Sequence, residues 1–69
     1  MQTIKETFNC LNVYKDINGR IIVSAIVTDD KTGFYWFESL TCYFCNSERN
    51  AKKAFIYHCE RNGYTIKTD

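Results

Sequence analysis

The sequence predicts a single α+β domain over residues 1–69: a three-stranded antiparallel meander, one helix packed on one face of the sheet, and a short C-terminal strand. Two observations predict this β-β-β-α-β order. Two similar turn motifs divide the first half of the chain, and an uninterrupted helical segment lies near its end. The chain has 45% hydrophobic residues and no proline, which is typical of a folded domain and excludes disordered or low-complexity proteins.

The motif D-x-[NT]-G occurs twice, at residues 16–19 and 30–33. An aspartate at the first position can accept hydrogen bonds from backbone N–H groups, and the glycine supplies a positive φ. This chemistry predicts a three-residue hairpin loop with a glycine bulge at both sites. At Asn18-Gly19 a two-residue type I′ turn is the alternative, and it would change the strand register. The two turns predict two hairpins that share a middle strand.

The segments around these turns have the composition of strands. Residues 20–28 are β-branched and apolar, and residues 34–44 are rich in aromatic side chains. Residues 7–15 alternate less regularly and are the predicted first strand. The alternative for the start of the chain is a short helical turn, which fits a capping box and helical spacing at Thr3, Ile4, Glu6, Phe8 and Leu11.

A helix is predicted over residues 47–62, which contain neither proline nor glycine. Asn46 or Ser47 can cap its N-terminus, and Gly63 can end it in the left-handed conformation. Residues 64–67 are then predicted to form a brief fourth strand. The apolar stripe of this helix, expected to face the sheet, consists of Ala51, Ala54, Phe55, His58 and Cys59.

The glycine-bulge register predicts which residues share each face of the sheet. The face toward the helix is expected to contain Leu11, Val13, Ile21, Val23, Ala25, Val27, Tyr35 and Phe37, with Ser39 and Thr41 as small residues. The other face is expected to contain Phe8, Cys10, Tyr14, Ile22, Ile26, Trp36, Leu40 and Cys42, with the polar Asn12, Ser24, Thr28 and Glu38 between them. A sheet face in water normally alternates to polar residues, and this one does not.

The second face is therefore the predicted contact surface for a partner, because contiguous apolar patches on small soluble proteins mark binding sites. The expected anchors are Phe8, Tyr14, Ile22, Trp36 and Leu40, with Glu38 as a selective charge. The alternative is that the N-terminal segment folds back over this face, or that the register differs by one residue. A second candidate patch lies on the helix and consists of Arg49, Lys52, Lys53, Ile56 and Tyr57; alternatively, its apolar members widen the buried stripe.

The four cysteines raise the question of a metal. Cys42, Cys45 and His58 have the spacing C-x2-C-x12-H, which matches three ligands of a zinc finger with two cysteines and two histidines. The second histidine is missing, so the expectation is no metal and no cofactor. Cys10 and Cys59 then serve, with Cys42, as small apolar residues. Without a secretory leader, reduced thiols in the cytoplasm are expected rather than a disulfide framework.

An enzyme is not expected from this sequence. His58 is the only histidine and lies on the apolar helix stripe, and Asp29 and Asp30 are explained as turn residues. No nucleophile or phosphate-binding motif is present. The net charge of +1 argues against strong binding of nucleic acid, and no apolar run approaches the length of a membrane span.

A three-stranded sheet on a C-terminal helix nevertheless resembles two DNA-binding families, the plant AP2 domain and the arm-binding domain of tyrosine recombinases. The similarity lies in the element order, in residues 34–37 and in Ala51 and Ala54 of the helix. It implies a sheet face that reads DNA mostly through arginine. The corresponding face here offers only Arg20, at its edge. Single-stranded nucleic acid could instead stack on Phe8, Tyr14 and Trp36.

Residues 47–66, a helix with an Asn-Gly stop and a short strand, also resemble in pattern the C-terminal half of some anti-CRISPR proteins. Small phage inhibitors of host RNA polymerase show a similar pattern. This resemblance implies a small phage accessory protein that inhibits by occupying a surface of a larger protein or ribonucleoprotein complex. The same apolar face could alternatively pair two copies of the chain as a homodimer.

Overall fold

The computed structural model describes the backbone of residues 4–68 and the side chains of residues 7–68. The elements in chain order are α1 (Ile4–Cys10), β1 (Asn12–Lys15), β2 (Ile21–Asp29), β3 (Tyr35–Cys42), α2 (Glu48–Asn62) and β4 (Tyr64–Ile66). The predicted meander, helix and C-terminal strand are confirmed. Between residues 4 and 68, no helix is both long and apolar enough to cross a membrane.

The start of the chain follows the helical alternative. Residues 7–10, predicted as the beginning of the first strand, belong to α1, and the Leu11 N–H donates to the Phe8 carbonyl at 3.3 Å. β1 begins only at Asn12, where pairing with Ser24 of β2 starts. The proposed capping residue Thr3 and the side chain of Glu6 lie outside the described residues.

β2 is the central strand of the sheet. β3 pairs antiparallel with residues 21–28 of β2 and so occupies one of its edges along nearly its whole length. β1 pairs with residues 21–24 and β4 with residues 27–29, so both short strands share the other edge of β2. β3 has no strand on its far side within the described sheet, and it is therefore an edge strand.

The two predicted turns differ in length. In the first, the Asp16 N–H donates to the Arg20 carbonyl at 3.0 Å, which encloses the predicted three-residue loop with Gly19 at φ 79°. In the second, the Asp29 N–H donates to the Phe34 carbonyl at 2.8 Å and encloses residues 30–33. The second loop is therefore one residue longer than predicted.

The longer loop arises because Asp29, rather than Asp30, is the turn aspartate. Asp29 Oδ1 accepts from the Lys31 N–H at 2.8 Å, as Asp16 Oδ1 accepts from the Asn18 N–H in the first turn. Asp30 bonds elsewhere: its N–H donates to the Gly63 carbonyl at 2.9 Å, and its carboxylate accepts from the Thr65 hydroxyl.

This single-residue difference reverses the predicted faces of β3, because adjacent strand residues point to opposite sides of a sheet. Trp36 lies opposite Val27 and Leu40 opposite Val23, so both face α2. The predicted second face was therefore wrong for Trp36, Glu38, Leu40 and Cys42. The predicted core was wrong for Tyr35, Phe37, Ser39 and Thr41, which lie on the side away from α2.

The core lies between the sheet and α2, and the predicted faces of β2 and α2 are correct. Ser47 caps α2 by accepting from the Asn50 N–H at 3.2 Å, and Gly63 ends it at φ 74°. Phe55 and Val27 are completely buried. The buried apolar residues of the core are Leu11, Ile21, Val23, Ala25, Val27, Ala51, Phe55, Cys59 and Ile66.

Substitution of two neighbouring aromatic residues tests this register. Trp36 packs against the core, and its ring centroid lies 4.8 Å from that of Tyr64 in an edge-to-face contact. We expect Trp36→Ala to lower the free energy of unfolding by about 2–3 kcal/mol. We expect Phe37→Ala, on the exposed side of the same strand, to lower it by less than about 1 kcal/mol. Urea unfolding measures both; a larger loss for Phe37→Ala would contradict the register.

Candidate interaction surface

The side of the sheet that faces away from α2, called the open face below, carries an unusual number of apolar side chains. The exposed fractions are 49% for Tyr14, 43% for Ile26, 76% for Tyr35 and 58% for Phe37, whereas Ile22 is half-buried. Among the described residues, these four side chains are exposed to solvent, whereas Ser24 on the same face is fully buried. The polar residues between them are Asn12, Ser24, Thr28, Ser39, Thr41, Thr65 and Lys67.

The structure separates the predicted anchors into three places. Tyr14 and Ile22 lie on the open face as predicted. Trp36, Glu38 and Leu40 lie on the opposite side of the sheet, toward α2, so the predicted grouping of these residues with Tyr14 and Ile22 was wrong. Phe8 lies on α1. The open face instead contains Tyr35 and Phe37, which the sequence argument had assigned to the core.

A cavity of about 510 Å³ adjoins the open face where α1 ends. Ile26 and Phe37 supply its apolar part, and the side chains of two asparagines and a lysine supply polar groups. The residues that line it are Asn9, Cys10, Asn12, Ile26, Phe37 and Lys67. Lys67 is held there because its N–H donates to the Ile26 carbonyl at 2.8 Å, which continues the pairing of β4 with β2. The cavity thus extends the open face toward α1.

The second predicted patch forms a separate surface around Phe8. The Lys52 ammonium lies 5.7 Å from the centroid of the Phe8 ring, and the Arg61 guanidinium lies 5.5 Å from that of Tyr57. Arg49 is also exposed. A groove of about 260 Å³ is lined by Phe8, Lys53, Ile56, Tyr57 and Glu60. Ile56 is half-buried and packs against the core, in agreement with the alternative that it widens the buried stripe.

Glu38 is not a charge of the open face. Its Oε2 lies 3.2 Å from Nε2 of His58 on α2, and the two side chains are 23% and 32% exposed, respectively. A carboxylate held between a strand and a helix in this way satisfies an internal partner. Glu38 and His58 therefore link β3 to α2, and the open face loses the selective charge that the sequence had predicted.

The three residues with zinc-finger spacing, Cys42, Cys45 and His58, are not grouped together in the described structure. Cys42 and Cys45 form a disulfide, with their Cα atoms 5.6 Å apart, which corrects the expectation of reduced thiols at these positions. His58 contacts Glu38 instead of the cysteine pair. Within the part of the chain that the structure describes, no three histidine, cysteine or acidic side chains are grouped so as to hold a metal ion.

The remaining two cysteines are free, Cys10 half-buried and Cys59 buried. Burial raises the pKa of the Cys59 thiol from 9.0 to about 11, and the negative charges of Glu38 and Glu60 add to this shift. Both effects disfavour the thiolate. Cys59 therefore behaves as a core side chain, as predicted, and is a poor nucleophile near neutral pH.

Comparison of the chain with protein-family models, with curated proteins and with solved structures returns no match. The class of protein is therefore defined by its own architecture. It is a small α+β protein with a helix on one side of its sheet and an exposed apolar surface on the other.

The shifted titration of Cys59 makes stability depend on pH. Between about pH 9 and 11 the unfolded thiol releases its proton while the native thiol keeps it, so stability falls as the pH rises through this range. We expect the free energy of unfolding to fall more steeply there for the wild type than for Cys59→Ala. Urea unfolding over this range measures the difference. Cys10→Ala is the control; equal slopes for all three proteins would contradict the assignment.

Proposed function

We propose that this protein is a non-enzymatic binding module that acts by attaching its open face to the surface of a larger protein. The observation that supports this most strongly is the exposure of Tyr14, Ile26, Tyr35 and Phe37 on one side of the sheet. Tyrosine is enriched among the residues that contribute most to protein–protein binding. A stable core does not require these apolar side chains to be exposed together, whereas a contact surface does.

The charges of the open face indicate the chemistry of the partner. None of the strand residues on this face is acidic, since Glu38 points to the other side, and Lys67 contributes one positive charge next to Phe37. An apolar partner surface with acidic residues at its rim would complement this arrangement. The asparagine side chains of Asn9 and Asn12 can add hydrogen bonds at the border of the contact.

Steric occupation of the partner is the mode of action that we propose. It agrees with the resemblance of residues 47–66 to anti-CRISPR proteins and to phage inhibitors of host RNA polymerase, which work on large complexes in the cytoplasm. We propose the same compartment for this protein. The resemblance concerns α2 and β4, whereas the proposed contact surface is carried by β1, β2 and β3, so the two arguments are independent.

A second candidate function is binding of single-stranded nucleic acid. Three exposed rings, those of Tyr14, Tyr35 and Phe37, lie on one sheet face beside Lys67, and bases can stack on such rings. Affinity for nucleic acid also requires several positive charges along the backbone path. The chain has a net charge of only +1, which favours the protein partner.

The proposed function is tested by comparing two aromatic surfaces of the same protein. Tagged wild type, the open-face variant Tyr35→Ser/Phe37→Ser and the control Tyr57→Ser are used to capture partners from nuclease-treated bacterial lysate. Tyr57 is a suitable control because it is 61% exposed but lies on α2. We expect one stoichiometric partner with wild type and Tyr57→Ser, and at least a tenfold loss with the open-face variant, as for truncated anchor residues.

Two results would contradict the proposal. A partner retained equally by the open-face variant would place the contact elsewhere on the molecule. A partner recovered only from lysate without nuclease treatment, together with binding of a labelled oligonucleotide that Tyr35→Ser/Phe37→Ser weakens, would favour the nucleic-acid function. Circular dichroism of each variant confirms that the fold is intact before the capture is compared.

A further inference from the structure

β3 presents unpaired backbone groups along its outer edge. The Asp29 N–H donates to the Phe34 carbonyl, so the Phe34 carbonyl points toward β2, and in an antiparallel ladder every second residue repeats this orientation. Trp36, Glu38 and Leu40 therefore direct their N–H and C=O groups toward β2. The backbone groups of the alternate residues point away from β2 and have no partner among the described residues: Tyr35, Phe37, Ser39 and Thr41.

This edge lacks the features that usually prevent strand addition. Natural edge strands are protected against pairing with another chain by lysine, by proline, by a bulge or by being very short. β3 spans eight residues, YWFESLTC, without lysine or proline, and its pairing with β2 is continuous without a bulge. Its one charged side chain, Glu38, is engaged by His58 on the side of α2. An extended backbone segment is therefore the ligand that this edge fits.

We propose that the edge binds a second copy of this chain, with the two β3 strands antiparallel about a two-fold axis. An antiparallel pair of identical strands is self-complementary, because each N–H meets a carbonyl of the other copy. The open-face side chains of β3 are all uncharged, so no like-charge pair arises on that face. The net charge of +1 adds little long-range repulsion between the copies.

The register of this pairing follows from Glu38. Centring the axis on Glu38 would place two carboxylates directly opposite each other, which is destabilising. Centring it on Ser39 avoids this and overlaps more of β3 than centring it on Phe37. Ser39 then faces Ser39 of the partner subunit, and Phe37 faces Thr41 of the partner subunit. The ladder would contain about six hydrogen bonds, two for each hydrogen-bonded pair.

The resulting dimer is expected to be reversible. One pair of strands buries less than the roughly 1,200 Å² of surface that stable interfaces need, so dissociation constants on the order of 10–100 µM are expected. Pairing at this edge joins two sheets side by side and leaves both open faces exposed on one surface. It is therefore compatible with the proposed function but does not depend on it, and purified protein alone tests it.

The experiment combines sedimentation across a dilution series with amide hydrogen exchange. We expect wild type to change from 8.1 kDa to twice that mass with increasing concentration. The amides of Phe37, Ser39 and Thr41 should become protected at the same time. Ser39→Pro removes an outward N–H without disturbing the bonds to β2 and should stay monomeric. Ser39→Ala keeps that N–H and should dimerise like wild type.

A charge-swap pair keeps the test decisive even if Ser39→Pro fails to fold. Ser39→Lys and Ser39→Glu each place like charges opposite at the axis, so each alone should be monomeric, and mixing the two should restore dimers. A wild type that remains monomeric at millimolar concentration would overturn the proposal and leave the edge for a strand of another protein. Dimers that persist in Ser39→Pro and Ser39→Lys would also overturn it, since the open faces would then be the interface.

Discussion

The second hairpin turn sets which side chains of β3 meet the helix, and the rest of the structure depends on this choice. Asp29 closes the loop by accepting from the Lys31 N–H and by pairing with Phe34. Asp30 is meanwhile bonded to the Gly63 carbonyl and to the Thr65 hydroxyl. The end of α2 and the start of β4 therefore help to fix the length of a loop between two other strands. The core, the Glu38–His58 contact and the open face all follow from that length.

The sequence predicted those features that depend on neighbouring residues. Ser47 and Gly63 bound α2 through bonds within one helical turn, and Asp16 shapes the first loop through bonds to residues two and four positions away. The second loop offered two adjacent aspartates, and the contact that distinguishes them spans 35 residues, from Asp30 to Thr65. Local patterns carry no information about such a contact. The side of the sheet on which each side chain lies was therefore predicted correctly for β1 and β2 and incorrectly for β3.

The register also gives a reason to regard the exposed apolar side chains of the open face as a binding surface. A domain of this size has little stability to spare, and burying a large apolar side chain contributes about 1.5–3 kcal/mol. The alternative register would bury Tyr35 and Phe37 against α2, yet the fold places Trp36 and Leu40 there and leaves the other two rings in water. The fold loses the stabilisation that burial of these two rings would give. This loss has a function if a bound partner covers the rings instead.

The edge and the open face meet in the same residues of β3. Tyr35 and Phe37 offer their side chains to the open face and their backbone groups to the edge, so the two surfaces are used by different atoms and do not compete. A dimer formed through the edge would present two open faces with one orientation, related by a two-fold axis. A partner with repeated or symmetric surfaces would then engage both faces, and the second contact would form at high effective concentration. Weak binding by one small face would become strong binding by two without any new residue.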